Sequence, residues 1–206
     1  MSEKVVVIFI EGATEIEFYK ELVKIMRNYC GGRLSCKVEI ENAKSIYRYR
    51  DKVLNIFERK IKRKYPNAQF YVALCYDQDV FELSQNPPVN WKNLKKLFLE
   101  EGAKEVCSVK AVNCIEDWFL YDKSGVLNFL NLPKSTKIVG NNGAEKLENL
   151  FRKKNKLYVK GNQNINFIKA LDIEKILSQI CCDVKPLCKM LGVDCSKQKL
   201  CYRTKN

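Results

Sequence analysis

The chain of 206 residues contains no histidine. This absence excludes Ser-His-Asp and Cys-His nucleophile systems in their usual forms, two-histidine metalloprotease helices and histidine-based ribonuclease mechanisms. Any acid, base or metal chemistry must therefore use carboxylates, lysines, tyrosines or thiols.

The sequence also lacks long apolar runs and paired metal-binding cysteines. No apolar run approaches the roughly 20 residues that a membrane helix needs, and the first residues lack the small-residue cleavage site of a signal peptide. The ten cysteines include no C-x-x-C pair, which argues against a zinc site. We therefore expect a cytoplasmic protein without membrane attachment, whose thiols are reduced and mostly buried.

Positive charge is in excess, and it is unevenly distributed. The formal net charge is +13; residues 1–122 hold 20 Lys+Arg against 18 Asp+Glu, whereas residues 123–206 hold 17 against 6. This excess suits a polyanionic partner, and nucleic acid fits better than a membrane surface because no basic amphipathic anchor is present. A lysine-rich solvated surface is the alternative interpretation.

Strands alternate with helices along the chain. Val5 to Ile10 and Phe70 to Tyr76 are continuous apolar runs, which predict strands buried on both faces. Weaker patterns predict two more strands at 35–40 and 105–112, and helices at 14–29, 44–64, 91–101, 116–130 and 172–191, the first opened by a Thr14–Glu17 capping box. We expect an α/β fold over residues 1–122: a mostly parallel, Rossmann-like four-stranded sheet flanked by helices. A basic, mainly helical extension over residues 123–206 would pack on it.

Two acidic residues follow the first apolar strand. Glu11 ends that strand, and Glu15 lies in the first turn of the next helix, so both carboxylates are expected to face one crevice. A helix N-terminus stabilises an acid, which gives Glu15 a structural explanation. Glu11 is harder to explain in this way, because a carboxylate there costs desolvation free energy unless it is paired or bound to a cation.

A second acidic cluster follows the other apolar strand. Asp77 and Asp79 are two residues apart, and in an extended segment such side chains project to the same side. Like charges so placed repel one another unless a divalent cation lies between them, and Mg²⁺ prefers a few carboxylates plus waters and phosphate oxygens. Both clusters fall at the carboxyl edge of one predicted sheet, where ligands of such folds gather.

Here the sequence resembles the Toprim domain of topoisomerases, primases and overcoming-lysogenization-defect (OLD) nucleases. The E-G-x-T-E form of residues 11–15 is more similar to the OLD nucleases and to small stand-alone relatives, and Asp77-Gln-Asp79 resembles the D-x-D signature. A third segment, CIEDWFLYD at residues 114–122, is similar to the "IExWLLAD" stretch of small Toprim-like bacterial proteins.

The resemblance implies roles for individual residues. Glu11 would be a metal ligand or a general acid/base, and Glu15, Asp77 and Asp79 would be further ligands of Mg²⁺ or Mn²⁺.

The same resemblance implies two further catalytic candidates. Glu116 matches the acid of the third segment; the alternative is a helix N-terminal acid that supports the packing of Trp118. Lys160 is the candidate for the late lysine that OLD-type relatives use near their metals.

The implied function is a metal-dependent endonuclease that cleaves DNA or RNA in phage defence, alongside a partner ATPase; an oligomer is compatible with this function. An RNA-processing nuclease, like the small ribosomal RNA maturases, is a second enzymatic interpretation. A third is a catalytically silent module that binds nucleic acid or a partner protein through its basic C-terminal region.

Overall fold

The computed structural model describes residues 2–44, 46–78, 88–159 and 165–194. Its sheet has four strands in the order β2-β1-β3-β4, and every neighbouring pair is parallel. The strands are β1 Lys4–Ile10, β2 Lys37–Asn42, β3 Gln69–Asp77 and β4 Ala103–Ala111. The predicted four-stranded α/β sheet flanked by helices is therefore confirmed, and it is wholly parallel.

The helices of the described residues connect and cover these strands. In chain order they are α1 Ala13–Tyr29, α2 Tyr49–Ile56, α3 Lys62–Lys64, α4 Trp91–Glu100, α5 Ile115–Phe119, α6 Lys123–Phe129, α7 Gly143–Arg152, α8 Ile165–Lys169 and α9 Ile173–Leu191. None of these helices is both long enough and apolar enough to cross a membrane.

The central strand β1 separates two hydrophobic cores, because successive side chains of a strand point to opposite faces. Val6, Ile8 and Ile10 belong to the core that includes α1 and α9. Val5, Val7 and Phe9 belong to the core that includes α2 and α4. Since both faces are covered, the whole of β1 after Lys4 is buried, as its continuous apolar run predicts.

Three local predictions differ from the structure. Thr14 does not open α1 as the predicted Thr14–Glu17 capping box requires: the helix begins at Ala13 with Gly12 as its N-cap, so Thr14 is its second residue. The predicted basic helix at 44–64 consists of a 3₁₀ turn, α2, a π-helical turn at Phe57–Ile61 and α3. The predicted helix at 116–130 is divided into α5 and α6 by a 3₁₀ turn at Leu120–Asp122.

The helices after residue 122 share the core on the α1 side of the sheet. Buried side chains of α6, α7, α8 and α9 belong to the same cluster as Val6 of β1. Asp122 links the start of α6 to the start of α9, because it accepts hydrogen bonds from the backbone N–H of Asp172 at 2.9 Å and from Lys175 Nζ at 3.0 Å. The helix α9 ends at Gly192, whose φ of 78° is the left-handed conformation that glycine adopts at low cost.

Among the cysteines that the structure describes, the prediction of reduced thiols is wrong at Cys181. The thiols among the described residues are Cys30, Cys36, Cys75, Cys107, Cys114, Cys182 and Cys188. Burial raises the pKa of the Cys107 and Cys114 thiols to about 12, so both are protonated at neutral pH. Cys181, by contrast, is disulfide-bonded.

A carboxylate cluster at the carboxyl edge of the sheet

Two adjacent strands deliver acids to the same edge of the sheet. Glu11 directly follows β1, and Asp77 is the last residue of β3. The two strands are paired in parallel, with Phe9 opposite Leu74, so their carboxyl ends lie side by side. Asp77 is 1% exposed and Glu11 is half-buried. The sheet register therefore brings the two sequence clusters together.

Glu15, in the first turn of α1, is a neighbour of these two acids. Its Oε2 accepts a hydrogen bond from the backbone N–H of Glu11 at 3.0 Å. Burial raises the pKa of Glu15 well above its ordinary value, and the neighbouring carboxylates of Asp77, Glu11 and Glu116 raise it further, against the hydrogen bond from the Glu11 N–H. Four acids from three separate parts of the chain thus share one electrostatic environment.

Asp77 also has a structural role. Its Oδ1 accepts a hydrogen bond from the backbone N–H of Ile115 at 2.9 Å, and this N–H is the first of α5. The bond satisfies a donor that has no partner within the helix. It also holds α5 against the end of β3, which places Glu116 in the cluster.

Glu116 is the most deeply buried acid of the cluster, with no exposed surface. Its Oε1 accepts a hydrogen bond from the phenol of Tyr158 at 2.9 Å. Within the described residues, its Oε2 is buried without a hydrogen-bond partner, and no Lys or Arg forms an ion pair with it. A buried carboxylate oxygen left in this state costs free energy, so Glu116 is poorly explained by the packing of Trp118 alone.

A close helix contact fixes the position of Glu116. Gly143, the first residue of α7, lies against the backbone of α5: a Cβ atom there would clash with the backbone nitrogen of Asp117 and lie 2.6 Å from the carbonyl carbon of Glu116. Lys146 of α7 reaches Asp117 Oδ1 at 3.8 Å. The absence of a side chain at residue 143 therefore permits the approach of α7 to the cluster.

The donor set suits a hard divalent cation only in part. Carboxylate oxygens are the ligands that Mg²⁺ and Mn²⁺ prefer, and a cation would relieve both the repulsion among the acids and the desolvation of Glu116 Oε2. However, the residues that the structure describes contain no group of three or more Asp, Glu, Cys or His side chains already arranged to hold a metal. The chemistry fits a metal, and the described geometry alone is not a preformed ligand cage.

Two predicted site residues, Asp79 and Lys160, lie outside the described residues. The other four predicted residues, Glu11, Glu15, Asp77 and Glu116, are brought together as above. Their assigned roles as metal ligands or general acid/base stay predictions.

Sequence reasoning missed two tyrosines at the site. Tyr158 is 3% exposed, and its pKa is raised by burial and by Glu116. Tyr49 donates its phenol hydrogen to the carbonyl oxygen of Phe9 at 2.9 Å, and Cys75 O lies 3.2 Å from the same phenol oxygen. Neither tyrosine carries a sequence signal of its own, because only the tertiary fold sets its distance from the acids.

A separate cavity of about 570 Å³ lies beside α5. Its described lining includes Asp117, Trp118, Tyr121 and Lys146 but not Glu11, Glu15, Asp77 or Glu116. It is therefore distinct from the carboxylate cluster.

No protein-family model, curated protein or solved structure matches this chain. The fold and the site define a class in physical terms: a parallel four-stranded α/β protein with buried carboxylates at the carboxyl ends of its central strands. Membership of the Toprim family stays a prediction from the motifs.

Proposed function

We propose that this protein is a metal-dependent nuclease of the Toprim/OLD type, which hydrolyses phosphodiester bonds of DNA or RNA in phage defence with a partner ATPase. The observation that carries the proposal is the convergence of Glu11, Glu15, Asp77 and Glu116 at one sheet edge, through the pairing of β1 with β3 and the hydrogen bonds that Glu15 and Asp77 accept. Buried like charges are costly, and proteins retain such groupings at sites where a cation or a reaction uses them.

A bound Mg²⁺ or Mn²⁺ would activate a water molecule and neutralise charge on the phosphodiester without histidine. Glu11 and Asp77, with Asp79 and Glu15, would hold the ion. Tyr158 would orient Glu116 through its hydrogen bond, leaving the buried Oε2 of Glu116 to accept a proton or to support the ion. Lys160 would contribute a positive charge toward the phosphate.

Cleavage assays with matched acid variants test the proposal. The wild-type protein is expected to cleave DNA or RNA with Mg²⁺ or Mn²⁺ and to be inactive in EDTA. Glu11→Gln and Asp77→Asn should each lower the cleavage rate more than about 100-fold, because each removes a ligand and leaves the shape of the site. Asp79→Asn should do the same.

Glu21→Gln is the matched control for these variants. Glu21 lies on the same helix as Glu15 but forms an exposed ion pair with Lys24, so this variant should cleave at the wild-type rate. Cleavage that persists unchanged in both Glu11→Gln and Asp77→Asn would point to a contaminating nuclease and refute the proposal.

A catalytically silent binding module is the second candidate. One observation favours it: Asp77 already serves as an acceptor for the first N–H of α5. Nucleic-acid binding without any metal-dependent cleavage by the wild-type protein would support this candidate over the nuclease.

A further inference from the structure

An exposed group of residues follows β2 and opens α2. Lys44, Tyr47, Arg48, Arg50 and Lys52 are all exposed, and we call them the Tyr47 surface. Between them, buried side chains anchor the backbone in the core beside β1, namely Ile46, Tyr49 and Val53. The Tyr47 surface therefore lies on a 3₁₀ turn and a helix whose opposite side is packed into the core.

Tyr49 places this surface next to the carboxylate cluster. Its phenol oxygen lies 2.9 Å from Phe9 O and 3.2 Å from Cys75 O, two residues before Glu11 and Asp77 respectively. Burial raises the pKa of Tyr49, and Cys75, Glu15 and Glu11 raise it further, in keeping with its closeness to the cluster. The Tyr47 surface and the acids thus lie at the same edge of the sheet.

Tyr47 itself has no packing role. Its side chain is 81% exposed, and among the described residues it makes no ring contact or hydrogen bond. Covering such an exposed aromatic ring with another flat apolar surface is favourable, because it removes apolar area from water.

The cations beside Tyr47 form few ion pairs with the described residues. Across the described part of the chain, neither Arg48 nor Lys52 forms an ion pair, and Arg50 has only Asp51, with Arg50 Nε 3.8 Å from Asp51 Oδ1. Arg48, Asp51 and Lys52, with Asn55 and Ile56, line a groove of about 450 Å³. An acidic cluster that is to receive a polyanion needs such neighbouring cations, because its own charge repels phosphate.

We propose that the Tyr47 surface binds single-stranded nucleic acid, with an unpaired base stacked on Tyr47 and backbone phosphates on Arg48 and Lys52. This inference rests on the proposed function, since it names the strand state of the substrate that reaches the carboxylate cluster. An exposed ring flanked by cations is the arrangement that stacks successive bases of single strands, whereas the bases of a duplex are already stacked on one another.

Binding to labelled oligonucleotides in EDTA tests the inference without any cleavage. Fluorescence anisotropy would compare a single-stranded DNA of mixed sequence, the RNA of the same sequence and the corresponding DNA duplex, with the full chain. We expect the single strands to bind more tightly than the duplex. Tyr47→Ala should weaken single-strand binding about 5- to 100-fold, which corresponds to roughly 1 to 3 kcal/mol, and Tyr47→Phe should retain it.

The phosphate contacts have their own readout. For single strands, each neutralised phosphate contributes about 0.7 to the slope of log K against log salt concentration. The double variant Arg48→Ala/Lys52→Ala should therefore lower the magnitude of that slope by about 1.4. Lys185→Ala/Lys189→Ala is the matched control, because it removes the same charge from exposed positions of α9, across the sheet from α2. Its affinity for single strands and its salt slope should stay closer to the wild-type values than those of Arg48→Ala/Lys52→Ala.

Several results would overturn the inference. These are wild-type affinity in Tyr47→Ala with a correctly folded protein, equal loss of affinity in the two double variants, preference for the duplex, or binding to anionic lipid vesicles in place of nucleic acid.

Failure of the proposed function gives a different result. Single-strand binding that depends on Tyr47 without metal-dependent cleavage by the wild type would refute the nuclease and leave the inference standing. Metal-dependent cleavage with an unchanged KM in Tyr47→Ala would support the nuclease and refute the inference about the Tyr47 surface.

Discussion

Glu15 shows how individual residues of the cluster differ from ordinary helix-terminal acids. Its position in the first turn of α1 is one that stabilises a carboxylate. It is nevertheless 6% exposed, and burial together with Asp77, Glu11 and Glu116 raises its pKa. The cluster therefore stores unfavourable charge interactions that a bound cation would relieve.

Replacing Glu15 by Gln tests for this repulsion, because removing the charge should change the free energy of unfolding. The folded-state pKa lies above the unfolded one, so the native state binds more protons between the two values, and the free energy of unfolding falls as pH rises through that window. In EDTA at pH 7, Glu15→Gln should raise the free energy of unfolding by about 1 kcal/mol or more, which is about 2 to 4 °C in Tm. The amide can still accept the hydrogen bond from the Glu11 N–H.

Urea unfolding from pH 4 to pH 8 is the measurement, and the fall in stability with rising pH should be smaller in Glu15→Gln than in the wild type. Glu58→Gln, at an exposed position, is the control and should leave the curve unchanged. Lower stability of Glu15→Gln at every pH would show that the Glu15 charge is already compensated.

At the scale of elements, the contact between α5 and α7 decides where Glu116 lies. Gly143 allows the backbone of α7 to approach that of α5, and Asp77 holds the first N–H of α5. A short helix of five residues is thus fixed from two sides. The sequence indicated an acid in a helical segment, but the division of that segment into α5 and α6 depends on these contacts.

Gly143→Ala is expected to disturb this contact. The added Cβ would meet backbone atoms of Asp117 and Glu116, which cannot rotate away, so the two helices must separate. We expect a loss of about 1 to 3 kcal/mol in the free energy of unfolding, measured by urea denaturation. Glu148→Ala, on the same helix, should cost less than about 0.5 kcal/mol because Glu148 forms only an exposed ion pair with Arg152. Equal stability of Gly143→Ala and the wild type would mean that the helices accommodate the methyl group.

For the whole molecule, the hydrophobic cores decide whether the chain behaves as one unit. The helices after residue 122 bury side chains against the same face of the sheet as α1. Without these helices, solvent would reach much of the β1 face formed by Val6, Ile8 and Ile10. We therefore expect the core and the helices to unfold together.

Equilibrium unfolding followed by two probes tests this expectation. Both tryptophans, Trp91 and Trp118, precede residue 123, whereas far-UV circular dichroism also reports the helices α6 to α9. The two urea transitions should coincide, and a fragment of residues 1–122 should lack a cooperative transition. Two separated transitions would instead show that residues 123–194 form an independent unit.

The sequence by itself determined the strands, their parallel arrangement and the carboxylate clusters, because continuous apolar runs and the alternation with helices are local patterns. It did not determine the start of α1, the break between α5 and α6, or the disulfide-bonded state of Cys181, which depend on backbone contacts and on side-chain proximity. Only the tertiary structure joined Glu116 and Tyr158, 42 residues apart, to the acids of β1 and β3. Such contacts arise from packing between distant segments, and no short stretch of sequence carries that information.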